Sequence, residues 1–360
     1  MSAILDLVRD DLRDFAGYRS ARSERLEGRV WLNANESPWP NAADAASTAR
    51  RYPDPQPDAL RSRLASLYGC QAEQLLVGRG SDEAIDLLVR ALCRPGADAI
   101  IITSPTFGMY AVNARLHGTR VVDVPLRESG DAWACDFEAV AQAALREPVK
   151  LVFLCSPGNP TGAALPAGAV LELARRLEGR ALVVVDEAYI EYATSNSAVE
   201  LIDRQPNIAV LRTLSKAHAL AGERIGSVIA DASLIEVLRR CQAPYPLPAS
   251  CVAAAVAALS AEALERTRQG VRTVIGERDA LFAALVAMPC VRRAYRSDAN
   301  FVLARFDDAQ AVFDALLGSG IVVRDMRAAP GLGDALRISI GTPEQNAVVM
   351  ATLRAMQVAA

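Results

Sequence analysis

The stretch "ALVVVDEAYIEY", residues 181–192, decides the architecture. Leu182, Val183, Val184 and Val185 follow one another with no polar residue between them. A strand built this way is covered on both faces, as strands inside parallel sheets are. The run then ends abruptly in charge, at Asp186 and Glu187. Working outward, the same design recurs on either side. "KLVFLCSPGNPTG" (150–162) lies upstream and "NIAVLRTLSK" (207–216) downstream, with "QLLV" (74–77), "AIIITSP" (99–105), "RVVDVPL" (120–126) and "RIGSVIA" (224–230) further out. Helical spacing separates these runs; in "GRGSDEAIDLLVRALC" (78–93), Ile85, Leu88, Val89 and Leu92 share one face. Short apolar strands alternating with helices specify an α/β fold with a mostly parallel central sheet flanked by helices.

"APYPLP" (243–248) breaks the pattern. Beyond it come a long helical region (249–288) and two further strands, "NFVLARF" (300–306) and "ALRISIG" (335–341), with a helix between them. This predicts a smaller α+β C-terminal domain. The expected division is an N-terminal arm and helix at 1–30 contributing to the small domain and to a dimer, a large domain at 31–248, and a small domain at 249–360.

Composition narrows the function. The chain has 360 residues, 51% of them hydrophobic, enough for a large core. The formal net charge is −3 and no basic patch stands out, which argues against nucleic acid and anionic membrane as partners. Seven scattered cysteines without a CxxC pair, and two histidines, make neither a zinc site nor a disulfide framework. The N-terminal "MSAILDLVRDDLRDF" is charged throughout and does not read as a signal peptide. No apolar run approaches the roughly 18 residues of a membrane span. The expected location is the cytoplasm.

Of the 39 basic residues only two are lysines, Lys150 and Lys216. A bias in base composition accounts for most of the arginines. Lys150 opens a strand and reads as solvated. Lys216 stands at a strand end among small residues, in "TLSKAHALAGERIG" (213–226). A guanidinium stays protonated, whereas a partly desolvated ammonium can lose its proton and attack a carbonyl. Schiff-base chemistry therefore needs lysine and cannot use arginine.

Ligands in open α/β sheets gather beyond the carboxyl ends of the strands. Five strand ends here deliver polar or aromatic groups: Ser81 and Asp82; Phe107 to Tyr110; Asn159; Asp186 and Tyr189; Ser215 and Lys216. Each alone reads as an ordinary loop residue; together they point to one shared site. Asp186 is either a cap or turn residue, or a buried carboxylate facing a ligand cation such as a protonated pyridine nitrogen. "GRGSDEAI" is either an N-capped helix with acids in its first turn, or a phosphate site at a helix N-terminus. It is neither GxGxxG nor a Walker loop. Arg224 is a surface charge or a clamp on that same phosphate.

With these residues assembled, the sequence resembles the pyridoxal-phosphate aminotransferases of fold type I, over nearly its whole length. "SPGNPTG", "DEAY" and "SKAHALAG…R" carry the resemblance to the fold family. "NANESP" near the start, and "VVRD" with "LRIS" near the end, point to its branch acting on histidinol phosphate. The resemblance implies pyridoxal phosphate as cofactor, no metal, a homodimer, and transamination of L-histidinol phosphate with 2-oxoglutarate. It implies that Lys216 bonds the cofactor aldehyde and shuttles a proton, and that Asp186 pairs with the ring nitrogen. Asn159 and Tyr189 then hold the ring oxygen, and Tyr110 stacks on the ring face. Ser81, Asp82 (through its backbone N–H), Ser215 and Arg224 hold the phosphate, and Tyr52 reaches the cofactor phosphate of the neighbouring subunit. For the substrate, Tyr18, Arg324 and Arg337 form an anion clamp; the plain alternative for Arg337 is a salt-bridged arginine at the core edge.

Three positions depart from the family pattern. His218 stands where an aromatic is frequent and reads as structural. Gly158 replaces a common Asn. Glu223, beside Arg224, is expected to face solvent or pair with an arginine. Within the fold, an aromatic amino-acid aminotransferase or a threonine-phosphate decarboxylase would use a similar clamp. A nucleotide-binding oxidoreductase lacks its fingerprint and leaves Lys216 unexplained, and nothing suggests a cofactor-bound regulator with a partner domain.

Overall fold

The computed structural model describes residues 3–18, 20–21, 28–44 and 47–358. Part of the expected arm, at 1–2, 19 and 22–27, lies outside the described residues. In chain order the elements of the first unit are α1 (Asp10–Arg13), α2 (Asp58–Tyr68), β1 (Leu75–Arg79), α3 (Gly80–Leu92), β2 (Ala99–Ile102), α4 (Met109–His117) and β3 (Arg120–Asp123). A hairpin, β4 (Arg127–Ser129) and β5 (Ala132–Ala134), precedes α5 (Phe137–Arg146), β6 (Val149–Cys155), α6 (Ala167–Arg176) and β7 (Leu182–Asp186). Then follow β8 (Ile208–Thr213), β9 (Ile225–Ile229), α7 (Ala232–Cys241) and α8 (Ala249–Ala258). The last part holds α9 (Ala261–Val286), β10 (Val291–Ala294), β11 (Phe301–Phe306), α10 (Ala309–Gly318), β12 (Arg324–Asp325), β13 (Ala335–Ser339) and α11 (Pro343–Val358).

The large sheet has the order β1-β9-β8-β7-β6-β2-β3. Every neighbouring pair is parallel except those made by β9, which runs antiparallel to β1 and β8. Two cores cover its faces, one through Val152, Val183 and Val210 and the other through Phe153, Val184 and Leu211. The consecutive valines are thus used on both sides. Residues Ile4, Leu7 and Val8 of the arm belong to the second of these cores, with Leu88 of α3 and Leu238 of α7.

The small sheet, β10-β11-β13-β12, is antiparallel and buries Val302, Phe306 and Ile338 against Leu281 and Leu285 of α9. α8 falls after the expected boundary at 248, but Ala255 and the following Leu259 join the large-domain core and α8 receives a hydrogen bond from Arg63 of α2. Packing changes partners along α9. The small domain is tied back onto the large one beside "SPGNPTG". Asp298 N–H donates to the Gly162 carbonyl (2.8 Å), and a Cβ at Gly162 would lie 2.6 Å from Ser297 Oγ. On the hairpin, Glu128 accepts from Arg293 (2.5 Å), Tyr295 (2.7 Å) and Arg305 (3.1 Å). These contacts bring β11 and β13 over the strand ends.

Candidate active site

Asp186 closes β7 and is buried, 2% exposed. Its Oδ2 accepts the Tyr110 hydroxyl at 2.7 Å and its Oδ1 accepts the Ala188 N–H at 3.2 Å. Among the described residues it has no ion-pair partner. Burial pushes its pKa up to about 6, against the pull of the Tyr110 hydroxyl and the Ala188 amide. A buried carboxylate of this kind is set to receive a cation that the chain itself does not supply.

Tyr110 does something other than the expected stacking. Its ring is fully buried, lying parallel to Phe153 (centroids 4.7 Å apart, 8° between planes) with Phe107 edge-on at 5.6 Å. A ring enclosed in this way offers no free face to a ligand. Phe107, just before α4, is only half-buried and keeps part of its ring accessible.

The next strand, β8, leads to Lys216, which remains exposed. Its ammonium is held below the ordinary lysine range, first by partial burial, then by the charges of Arg337 and Arg224. Lysine in this condition is a nucleophile and a proton carrier at ordinary pH. Its Nζ lies 5.7 Å from the centre of the Tyr189 ring, which packs edge-on against Phe301 (5.3 Å, 89°).

At the other end β1 runs directly into α3, so the first amides of the helix, at Ser81 and Asp82, open into the same region. Two glycines allow the approach. Gly226, paired with Gly78 and with Thr213, comes so close that a Cβ there would lie 2.2 Å from Ser81 N. Gly80 has φ +78°, and a Cβ on it would lie 2.6 Å from Arg224 Nη2. Arg224 itself adopts the left-handed conformation (φ 56°), which returns its guanidinium onto the helix start. There it donates to the Asp82 carboxylate at 3.0 Å. Ser215 adds a hydroxyl held by Thr213 Oγ1 at 2.8 Å. Amides, guanidinium and hydroxyl together form an anion cradle.

Across the site, Arg337 of β13 donates from Nη1 to Asn159 Oδ1, with its guanidinium carbon 5.1 Å from the centre of the Phe301 ring. Its Nε is buried and makes no hydrogen bond among the described residues. Arg324 stands directly opposite it in the β12–β13 ladder. Like charges opposite one another on a sheet repel, and Arg324, after burial, acts to destabilise the charged form of Arg337.

Residues 21–353 match the family described as aminotransferase class I and II. The chain is 60% identical to a histidinol-phosphate aminotransferase of Stenotrophomonas maltophilia (strain R551-3), over 99% of this chain and 98% of that one. It is 59% identical to the enzyme of the same name from Xanthomonas axonopodis pv. citri, over 100% and 99%. Among solved structures, it superposes on a histidinol-phosphate aminotransferase from Sinorhizobium meliloti in complex with pyridoxal-5'-phosphate, with TM-score 0.77, 27% identity and 90% of each chain covered. The chain belongs to the histidinol-phosphate aminotransferases of class I and II.

In this aminotransferase the fold gathers Ser81, Asp82, Asn159, Asp186, Tyr189, Ser215, Lys216, Arg224 and Arg337 at the strand ends. Two expected residues lie elsewhere. Tyr18 is 74% exposed and lines a cleft of about 820 Å³ with Gln56, Arg240 and Gln242, beside β1. Tyr52 is exposed and stacks on Tyr245 (4.4 Å, 16°). Glu223 is half-buried beside the Cys251 thiol, whose pKa it helps to raise, and among the described residues it makes no ion pair with an arginine. His218 is buried with Glu191 Oε1 3.9 Å from its Nε2, and burial lowers its pKa. Sequence reasoning missed Phe301, which underlies both Tyr189 and Arg337; inside an apolar strand it gave no signal.

Proposed function

We propose that this enzyme transfers the amino group of L-histidinol phosphate to 2-oxoglutarate, giving imidazole-acetol phosphate and glutamate, with pyridoxal phosphate as cofactor. The observation that carries the reading is the Arg324–Arg337 pair. Two arginines directly opposite one another in the β12–β13 ladder, one of them hydrogen-bonded to Asn159, suit a doubly charged anion. The phosphate of one substrate and the distal carboxylate of the other would take that place in turn.

The residues fit pyridoxal phosphate. The cradle of Ser81, Asp82, Ser215 and Arg224 suits its phosphate, and the buried, cation-free Asp186 suits its pyridinium. Asn159 and Tyr189 suit its ring oxygen, Phe107 its ring face, and the depressed Lys216 amine its aldehyde. When bound, the cofactor supplies a carbonyl for the amino group and a ring that withdraws electrons. The chain does the rest. Asp186 keeps the ring nitrogen charged. Lys216 Nζ accepts the proton leaving the substrate carbon that bears nitrogen. Arg337 and Arg324 orient the substrate so that this C–H bond faces the lysine.

We further read the enzyme as a cytoplasmic homodimer in which Tyr52, and Tyr18 of the arm, serve the site of the second subunit. Val30, Leu32, Trp39, Tyr18 and Tyr52 are all exposed along one segment, an apolar surface of the kind that associates. Among the described residues no helix is long and apolar enough to cross a membrane.

Two experiments test the reading. The purified enzyme should be yellow, the colour should vanish on borohydride reduction, and Lys216→Ala should lose both that colour and turnover; a colourless protein that takes up no pyridoxal phosphate sinks the proposal. In single-turnover bleaching, histidinol phosphate should react faster than phenylalanine or threonine phosphate. Equal rates with phenylalanine would show that the substrate is misassigned.

A further inference from the structure

We propose that Tyr110 is a positioning residue for Asp186. Its buried hydroxyl, together with the Cys155 thiol, ties the carboxylate that faces the ring nitrogen to the loop that presents Asn159 to the ring oxygen. This rests on the cofactor placement proposed above and adds a residue that touches neither cofactor nor substrate.

The geometry builds the bridge step by step. Cys155 and Asp186 are direct partners at the ends of β6 and β7. The Tyr110 hydroxyl donates to Asp186 Oδ2 at 2.7 Å and lies close enough to the Cys155 sulfur to influence it. That sulfur accepts the backbone N–H of Asn159 at 3.4 Å and donates to the Pro157 carbonyl at 3.5 Å. A run of buried contacts therefore leads from Asp186 through Tyr110 and Cys155 to Asn159, with the tyrosine proton given to Asp186 and the thiol proton to the Pro157 carbonyl. The parallel stack of Tyr110 on Phe153 fixes the aromatic ring, so the hydroxyl has one place to be.

The consequence is electrostatic. A carboxylate that accepts a hydrogen bond is a weaker base than a bare one. Burial dominates at Asp186 and favours the neutral acid; the Tyr110 hydroxyl is the largest opposing influence, followed by the Ala188 amide. The other charges acting on it are Asp82, which favours the acid, and Lys216, which favours the carboxylate. The hydroxyl remains a donor, because burial first, and then the Asp186 charge, hold its own proton well above the ordinary tyrosine range. With the bond in place, a proton shared between Asp186 and a pyridine nitrogen rests on the nitrogen. Without it, the proton moves toward the carboxylate and the ion pair weakens.

The experiment uses reconstituted enzyme with ring-15N-labelled pyridoxal phosphate, and reads the 15N chemical shift and the cofactor dissociation constant. Tyr110→Phe keeps the ring and removes only the hydroxyl. It should move the 15N signal toward that of unprotonated pyridine and weaken cofactor binding on the order of tenfold, the weight of one hydrogen bond to a charged group. 3-Fluorotyrosine at position 110, a stronger donor, should leave the nitrogen fully protonated and binding at least as tight as in the wild type. A role confined to packing would lower the melting temperature of Tyr110→Phe and leave the 15N signal where it is; that result overturns the proposal. Asp186→Asn separates the two levels. If it leaves both readouts at wild-type values, the cofactor placement is wrong. If it shifts them and Tyr110→Phe does not, the placement stands and the role of Tyr110 fails.

Discussion

Gly226→Ala and Gly80→Ala both place one methyl group against the anion cradle, and the structure predicts opposite characters for them. At Gly226 the new Cβ would meet Gly80 C and Ser81 N, each at 2.2 Å. Both are backbone atoms, and neither can rotate away. Reaching the 3.4 Å of ordinary contact requires β9 and the start of α3 to part. Overpacking against rigid backbone costs about 3 kcal/mol, which for a chain of this size is a fall of about 4 °C in melting temperature. At Gly80 the Cβ would meet Arg224 Nη2 at 2.6 Å, the far end of a flexible side chain. The guanidinium can leave, so the stability cost is mainly that of a β-carbon at φ +78°, about 1–2 kcal/mol. What is lost instead is the phosphate clamp, and cofactor affinity should fall on the order of tenfold or more. Thermal melts of the apoenzyme and a fluorescence titration with pyridoxal phosphate read the two effects separately. Gly226→Ala should be the worse for stability and Gly80→Ala the worse for the affinity of the molecules that fold. The reverse order, or a Gly226→Ala enzyme that melts with the wild type, would refute the idea that close backbone approach builds the cradle.

Three other outcomes follow from the same geometry. Asp186 and Glu187 have folded-state pKa values raised by burial to about 6 and about 7, from 3.8 and 4.5. A raised value means stability that is full below the unfolded pKa and lost as pH rises through the folded one. The apoenzyme should therefore lose stability between about pH 4 and 7, and Asp186→Asn should flatten the lower part of that slope in melts run across this range; an unchanged slope contradicts the assignment. Arg337→Lys keeps the charge but loses the planar fork that reaches Asn159 and lies over Phe301; KM for histidinol phosphate and for glutamate should rise about tenfold together, and a rise for only one of them would show that the two anions do not share the arginine. His218→Phe removes two buried ring nitrogens that have no hydrogen-bond partner among the described residues and should stabilise the protein by about 1 kcal/mol, seen as a higher urea midpoint; destabilisation would mean that His218 is hydrogen-bonded in solution.

What the sequence disclosed and what it withheld divide along a physical line. Strand ends were legible because the apolar run "LVVV" gives way to charge at Asp186, the last paired residue of β7. The end of β8 was legible in the same way, and the structure sets Lys216 just beyond it. Direction was withheld wherever neighbouring residues had equal claims. Phe107 and Tyr110 sit one helical turn apart, and nothing in the letters says which faces the ligand and which enters the core. α8 is apolar nearly all round, so its period names no face, and only packing assigns it to the large domain. Glu223 came to lie beside Cys251 across β9 and α7, and Arg337 found Phe301 across a sheet. Such pairings depend on tertiary approach, which no local pattern records.

Beneath the site one further arrangement links these levels. Arg212 lies in the apolar strand β8, 7% exposed, with Nη2 2.8 Å from Glu191 and Nη1 3.6 Å from Glu187, over the ring of Tyr68 at 4.5 Å. Glu187 in turn accepts from Ser197 (2.5 Å) and from the Ala198 N–H (2.6 Å). Apolar residues of similar volume would hold two strands together at least as firmly, since desolvation offsets most of what a buried ion pair contributes. What apolar contact lacks is direction. Glu187 immediately follows Asp186, and Arg212 lies on the strand that leads to Ser215 and Lys216. The Arg212 charge opposes the burial that raises the Glu187 pKa, and the contact between them fixes the loop after β7 against the end of β8, next to the buried Asp186 carboxylate and the Lys216 amine. The acid beside Asp186 in "DEAY" and the arginine in "LRTLSK" are thus two halves of one contact between the ends of β7 and β8, which explains why charge occurs inside an otherwise apolar sheet.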